Sequence, residues 1–217
     1  GTLTNWKQVS AGLSFSMAVK TDGTLWTWGA NTAGQLGLGD VISRSSPVQV
    51  GTLTNWSSVN AAVINGMSHH AIKTDGTLWT WGQNTNGSTG DGTVSPSRSS
   101  PVQVGTLTNW RSLATNNQYH VLAFTSDNKG WTWGDTNTSA VLGYTTIRSS
   151  PVQIGTLTNW GGKIGAMGIT ATLANKQDGS LWGFGWNDTG QLAQNNQTFT
   201  AYPVSLPITV SSFSVGY

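Results

Sequence analysis

The string Gly-Thr-Leu-Thr-Asn-Trp occurs four times, beginning at Gly1, Gly51, Gly105 and Gly155, so the chain repeats at intervals of 50, 54 and 50 residues. A unit of this size buries its apolar face only against a neighbour, and a period near 50 therefore selects a propeller, a solenoid or an array. Every unit runs on to a Trp-x-Trp-Gly motif, at Trp26 to Gly29, Trp79 to Gly82 and Trp131 to Gly134, relaxed to Trp182-Gly183-Phe184-Gly185 in the fourth. Every unit closes on Ser-Ser-Pro-Val or a remnant of it, at Pro47, Pro101, Pro151 and Pro203. The reading is one repeat domain over residues 1–217, with units 1–50, 51–104, 105–154 and 155–206. Residues 207–217 begin a fifth unit, because Val210 to Tyr217 fall over Trp6 to Leu13 position for position. That last segment either completes the unit begun at Gly1 and closes a ring, or starts a further blade of a longer propeller. The second is favoured, since four blades make a narrow ring and Gly1 is no natural start.

Within a unit the period is two. Leu25-Trp26-Thr27-Trp28 sends both indoles to one face and Leu25 and Thr27 to the other. Asp22-Gly23, Asp75-Gly76 and Asp178-Gly179 precede these strands and suit two-residue hairpin turns, whereas Asp127-Asn128-Lys129-Gly130 suits a looser loop. Further strands are expected over Trp6 to Ala11, over the segment ending Ala18-Val19-Lys20, and as an edge piece around Pro47 to Val50. About four strands per unit make an all-β protein, a β-propeller of four-stranded blades. A composition of 12 Trp and 28 Gly, rich in Thr, Ser and Asn, agrees with short strands and tight turns.

Charge excludes several functions. Only 8% of residues are charged, Glu is absent, and a surplus of two positive charges makes no basic patch, so no nucleic-acid partner is expected. Apolar runs such as Ala61 to Ile64 and Val121 to Phe124 are far shorter than the roughly 18 residues that cross a bilayer, so no membrane insertion is expected. The start of the chain lacks the order of a signal peptide. Without Cys there is no disulfide, thiolate nucleophile or cysteine zinc site, and the redox compartment leaves no mark.

The first unit reads Val9-Ser10-Ala11-Gly12, then Ala18-Val19-Lys20-Thr21-Asp22-Gly23, and then Trp28-Gly29-Ala30-Asn31-Thr32-Ala33-Gly34-Gln35-Leu36-Gly37. It resembles the regulator of chromosome condensation repeat, marked by Trp-Gly-x-Asn-x-x-Gly-Gln-Leu-Gly after an Asp-Gly turn. The match covers essentially the whole chain but decays along it: Gly82 to Gly87 keeps part, Gly185 to Leu192 most, and Gly134 to Gly143 little. The family's His before the Ala strand is matched by His120, while Ser68 holds that place in the second unit with His69 beside it. The resemblance implies a β-propeller, commonly of about seven blades, used as a docking surface. Members include a nucleotide-exchange factor for a small GTPase, ubiquitin-ligase modules and bacterial proteins that inhibit enzymes. The near-identical Arg-Ser-Ser-Pro-Val-Gln joints look more like bacterial or phage members than the diverged eukaryotic exchange factor.

Chemistry-bearing residues are sparse, and no enzyme, cofactor or metal is expected. Of the eight Asp, Asp22, Asp75 and Asp178 read as turn residues. His69 and His70 are adjacent on a strand and point to opposite faces, a poor metal pair, and His120 reads as a hydrogen-bonding residue across a blade. Gly34 to Gly39 lacks the basic residue and helix of a phosphate loop. Asp135 to Ser139 begins like a calcium loop, but no Glu is available to close it. Asn55, Asn86, Asn137, Asn187 and Asn196 lie in glycosylation sequons, which carry glycans only in a eukaryotic secretory pathway.

Eleven of the 12 Trp recur at repeat positions and read as interblade packing: Trp6, Trp26, Trp28, Trp56, Trp79, Trp81, Trp110, Trp131, Trp133, Trp160 and Trp182. Trp186 is off-pattern, on a loop just past Gly185, and reads either as local packing, the favoured reading, or as a candidate contact residue with Asn187 beside it. The four-residue excess of the second unit lies between Gly87 and Arg98, which adds Ser88, Thr89, Asp91 and Thr93 as candidate loop contacts. Arg44, Arg98 and Arg148 each stand three residues before a repeat Pro and form a ring on one rim, either anchoring loops, the favoured reading, or presenting positive charge to a partner.

The leading expectation is a non-enzymatic scaffold acting as a structural or adhesive protein of a virion or cell surface. Its loop face would bind a protein or glycan partner, copies of itself or other virion proteins. The alternatives are an intracellular, cytoplasmic protein-interaction regulator, such as a GTPase exchange factor or enzyme inhibitor, and a sugar-binding lectin.

Overall fold

In every repeat the alternating Trp segment forms a strand flanked by antiparallel partners. The first sheet has the order β1 (Trp6–Ala11), β2 (Phe15–Lys20), β3 (Leu25–Gly29), β4 (Arg44–Gln49). The second contains β5 (Trp56–Ala61), β6 (Ser68–Lys73), β7 (Leu78–Gly82) and β8 (Arg98–Gln103). The third contains β9 (Trp110–Thr115), β10 (His120–Thr125), β11 (Gly130–Gly134) and β12 (Arg148–Gln153). In the fourth, β13 (Ala171–Asn175), β14 (Ser180–Gly185) and β15 (Thr200–Thr209) pair in order, and Trp160 bridges Lys176 where the first strand of the other sheets begins. This computed structural model describes residues 4–61, 68–115, 120–135, 146–161 and 171–209. Among them there is no helix. The calcium-like run after Asp135, with the Asn137 sequon, and the fifth unit from Val210 lie outside the described residues.

The fourth strand starts at Arg44, earlier than the edge piece expected around Pro47. Pro47 costs no ladder bond there, because β4 is an edge strand paired on one side only. On the Trp strand the register Ala18↔Trp26 and Ser16↔Trp28 puts both indoles on one face, each 6.3 Å from Trp6.

The turn before that strand differs from the two-residue form suggested by Asp22-Gly23. The Lys20 N–H donates to Thr24 O and the Gly23 N–H donates to Lys20 O, both at 3.0 Å, so the loop has three residues. Of these only Gly23 has a positive φ, 79°. The Asp22 carboxylate instead accepts from the Thr24 N–H at 3.0 Å and its hydroxyl at 2.7 Å, which closes the turn locally. The third repeat is no looser: Asn128 takes the glycine's place at φ 62° and its N–H donates to Thr125 O at 2.9 Å. These hairpins also hold successive sheets together. Gly23 O accepts the Trp56 N–H at 3.0 Å, and a Cβ on Gly23 would lie 2.0 Å from Thr54 O, so only glycine permits this approach.

The core lies between sheets. Met17, Val19, Leu25 and Val50 of the first repeat pack with Trp56, Val59, Ala71 and Trp81 of the second. The pattern recurs with Ile72, Leu78 and Val104 against Trp110, Leu113 and Trp133, then with Leu122, Phe124 and Ile154 against Trp160 and Phe184. First strands lie side by side, and side chains of one cap the free edge of the next. The Gln8 amide donates to Val59 O at 2.9 Å and accepts the Val59 N–H at 3.1 Å, while the Ala61 N–H donates to the Ser10 hydroxyl at 3.0 Å. Val59 and Leu113 are accordingly 4% and 5% exposed, whereas Val9, the same repeat position in the first sheet, is 69% exposed.

The tryptophans divide by position. Trp56, Trp81, Trp110, Trp133 and Trp160 are buried. Trp26, Trp79, Trp131 and Trp182 are half-buried, and so are Trp6 and Trp28 of the first sheet, whose counterparts in later sheets are covered.

Candidate functional site

The loops from the third to the fourth strand of each sheet emerge at one end of the blades, opposite the Asp-Gly hairpins. Residues 30–43, 83–97 and 186–199 form the three described in full. Each is organised around one fully buried asparagine, Asn31, Asn84 or Asn187. Asn31 Nδ2 donates to Asp40 O and Oδ1 at 3.0 Å and to Ile42 O at 3.1 Å, and its Oδ1 accepts the Leu36 N–H at 2.9 Å. Asn84 donates to Thr93 O and Oγ1 and accepts the Thr89 N–H. Asn187 donates to Asn196 and accepts the Leu192 N–H at 2.8 Å. A side chain with both donor and acceptor spans both limbs of the loop, satisfying main-chain groups that burial removes from water.

This places three of the expected contact residues inside the protein. Asn187, Ser88 and Thr89 are buried and unavailable to a partner. Short polar side chains in a loop serve the loop's own backbone when it folds over them. Ser88 O accepts the Trp133 indole N–H at 3.0 Å and lies 3.1 Å from His70 Nε2, and the Thr89 hydroxyl donates to Asp91 at 3.1 Å. The Asp91 side chain is also nearly covered, accepting from the Thr93 N–H and hydroxyl and from Arg98 Nε at 2.5 Å. Thr93 is half-buried. Burial by itself raises the Asp91 pKa, but the hydrogen bonds from Thr93 and Arg98 outweigh it and hold the carboxyl below its ordinary value. Arg44 pairs with Asp40 at 2.6 Å in the same way, so these arginines anchor loops. In the fourth repeat Thr200 stands in place of the arginine and Asn196 accepts the buried amide.

Several large apolar side chains stand exposed among the polar residues of this rim. Val41 and Ile42, Val94, and Trp186 with Phe199 and Tyr202 are all exposed. Trp186, 41% exposed, meets Phe199 edge to face with centroids 5.9 Å apart. The sequence signalled Trp186 as off-pattern. Val41, Ile42, Val94 and Phe199 were missed, although each is a large apolar residue outside the strand alternation, and so was Tyr202 at the start of β15.

The histidines are interior. His69 packs on Phe15 of the preceding sheet at 4.0 Å, and His70 faces Trp133 of the following one at 5.8 Å, so the two rings point to opposite faces. His120 contacts the Thr132 hydroxyl within its own sheet. Burial pushes all three below the ordinary imidazole range, His70 to about 4 and His120 to about 3. They are neutral packing groups at physiological pH. Among the described residues no three His, Asp or Glu side chains gather as a metal site.

Models of the regulator of chromosome condensation (RCC1) repeat match residues 22–63 and 178–216, and a second model of the same repeat matches residues 6–35. The human probable E3 ubiquitin-protein ligase HERC6 is 35% identical over 142 residues, 64% of this chain and 14% of that protein. The Arabidopsis thaliana ultraviolet-B receptor UVR8 is 30% identical over 200 residues, 90% of this chain and 44% of the receptor. Among solved structures, Prp20p of Saccharomyces cerevisiae superposes with a TM-score of 0.78 at 18% identity, over 97% of this chain and 52% of that one. Human WBSCR16 superposes with a TM-score of 0.76 at 20% identity, over 96% and 55%. The chain thus spans about half the length of these solved propellers and less than half of the curated relatives. The relatives are human and plant proteins, which lends nothing to a bacterial or phage likeness. The chain thus carries regulator of chromosome condensation repeats, matched over residues 6–63 and 178–216, on antiparallel sheets that superpose on the blades of solved β-propellers.

Proposed function

We propose that this chain is a non-catalytic scaffold for protein–protein interaction, an intracellular regulator that engages its partner through the rim of asparagine-locked loops. One observation carries this reading: Val41, Ile42, Val94, Trp186 and Phe199 are exposed on loops whose interiors are fixed by Asn31, Asn84 and Asn187. A rigid loop with apolar tips loses little conformational entropy on binding, which is how such surfaces gain affinity. The relatives support it. Yeast Prp20p was characterised with its binding to Gsp1p and histones, and yeast RCC1 (Prp20) was solved bound to Kap60. The HERC6 match covers 14% of that ligase, and no ligase chemistry is assigned to this chain.

A virion or adhesive surface role rests on composition and on the uniformity of the repeats. A glycan partner is less well served, because Trp186 and Phe199 meet at 61° and present no flat platform for a sugar ring. In the domain reading, units 1–50, 51–104, 105–154 and 155–206 are successive blades, and the exposed Val9 fits the packing surface for a further blade.

The test is photo-crosslinking in the source cell, with a benzophenone residue at Ile42, Val94 or Trp186 and a control at Thr74 on the opposite hairpins. A discrete protein adduct from the loop positions and none from Thr74 is expected. Equal labelling from both ends, or none from the loops, would remove the assignment. For the exchange-factor form, added protein should speed nucleotide release from a candidate GTPase.

A further inference from the structure

The second strand ends on Lys20, Lys73 or Thr125 in the first three repeats, and Lys176, one residue past β13, holds that place in the fourth. In three of them the lysine folds over the half-buried outer indole of its blade. Its Nζ lies 3.9 Å from the Trp26 centroid, 3.6 Å from Trp79 and 3.4 Å from Trp182. A second indole walls the same cation, 5.1 Å away at Trp6 and 4.9 Å at Trp56. The chain thus builds an ammonium slot from two edge-to-face tryptophans, with centroids 6.3 Å apart at Trp6–Trp26, 6.2 Å at Trp56–Trp79 and 6.5 Å at Trp160–Trp182. The third repeat keeps the pair, Trp110 and Trp131 at 5.9 Å and 65°, but Thr125 is too short to reach over it. No cation among the described residues lies over Trp131, and its indole is half-buried.

We infer that the Trp110–Trp131 pair is a binding slot for an alkylammonium group, filled by a lysine side chain of a protein partner. The quadrupole of an indole face attracts such a cation most when the site is partly desolvated. A carboxylate supports it: Asp127 occupies the hairpin place of Asp22, Asp75 and Asp178. Lys129 already pairs with Asp127, Nζ to Oδ2 at 2.7 Å, and the Trp131 indole N–H donates to the Thr125 hydroxyl at 3.3 Å, so these groups meet the slot at its carboxylate and at the indole edge. An incoming lysine would share that carboxylate while stacking on the indole. The occupant is read from the chain itself, since the same slot holds a lysine in each of the other three repeats.

The inference stands apart from the loop rim and is tested with small probes on the full chain. Nα-acetyl-lysinamide and its ε-trimethylated form are titrated while the indole N–H resonances are followed by NMR. The expected result is a saturable shift of the Trp131 resonance alone. Thr125→Lys installs the lysine of the other repeats and should weaken probe binding about tenfold or more. Lys73→Thr should open a second slot, so that Trp79 responds as well. A Thr125→Lys protein that binds the probe like the wild type, or a wild type whose Trp131 does not respond, overturns the inference. If Thr125→Lys fails to fold, Lys73→Thr decides alone: no new response at Trp79 refutes it.

Discussion

The indole N–H of Trp81 donates to the backbone carbonyl of Gln35 across the joint between the first and second sheets, at 2.8 Å, and both residues are buried. Trp133 repeats the bond to Ser88 O at 3.0 Å across the next joint. The same residue that fills the interblade core thus fixes where the neighbouring loop sits. Trp81→Phe keeps most of the apolar volume and loses the donor. It should cost about 1–3 kcal/mol in denaturant unfolding and speed proteolysis within residues 30–43. A variant with wild-type stability and proteolysis would show that the bond does not couple sheet to loop.

Asn31 makes four hydrogen bonds to its own loop. Asn31→Ala should destabilise the protein by about 2–4 kcal/mol, since it strands buried main-chain partners as well as removing the bonds. Hydrogen exchange at the Leu36 amide should accelerate with it. Unchanged protection there would mean that the loop holds its shape without the asparagine.

Gly130 stands in the third repeat where Leu25 and Leu78 stand in the first two, and Phe124 stands where they have Val19 and Ile72. A Cβ on Gly130 would lie 3.3 Å from the Phe124 ring, so the larger residue occupies the space of the missing leucine. Phe124→Val should cost about 2 kcal/mol through a cavity, and Gly130→Leu about 1–3 kcal/mol through crowding. The double variant restores the pairing of the other repeats and should be more stable than additivity predicts by at least about 1 kcal/mol. Strict additivity in thermal or denaturant unfolding would refute the exchange.

The buried histidines set an acid limit. Each has a folded pKa below its unfolded value of 6.5, mainly from burial, so the unfolded chain takes up protons first as pH falls. Their contribution is whole above pH 6.5 and is lost as pH falls below it, and the loss levels off near pH 4 for His70 and pH 3 for His120. The turn carboxylates Asp22, Asp75 and Asp178 are held below 3.8, mainly by hydroxyl donors, and act in a lower window as pH falls past that value. His70→Met, which places there the Met17 of the first repeat, should flatten the loss of stability between pH 6.5 and 4. An identical slope in the variant would contradict the account.

Val9 and Val59 test the packing of the sheets. In a protein of residues 1–217, Val59→Asp buries a charge against the first sheet and should cost about 3–5 kcal/mol, whereas Val9→Asp, on an exposed position, should stay within about 0.5 kcal/mol. Equal costs would mean that the joint between the sheets does not form as described.

Repetition made the strands legible. Trp6–Ala11 follows from the alternation, and Trp26 and Trp28 share a face as their spacing requires. The turn at Asp22 was misjudged because Asp-Gly suits both a two-residue and a three-residue loop, and the hydroxyl of Thr24 decides between them. Ser88, Thr89 and Asn187 looked like contact residues because a short polar side chain in a loop reads alike whether it faces water or the backbone.

The sequence by itself determined the repeat unit, the blade and the residues that alternate across each strand, since these depend on local spacing and chirality. It does not distinguish Val9 from Val59, or show that Lys20, Lys73 and Lys176 lie over indoles where Thr125 does not, because each residue's surroundings come from another sheet or strand. Only the tertiary structure decided those, since burial and pairing belong to surfaces that meet after the chain has folded.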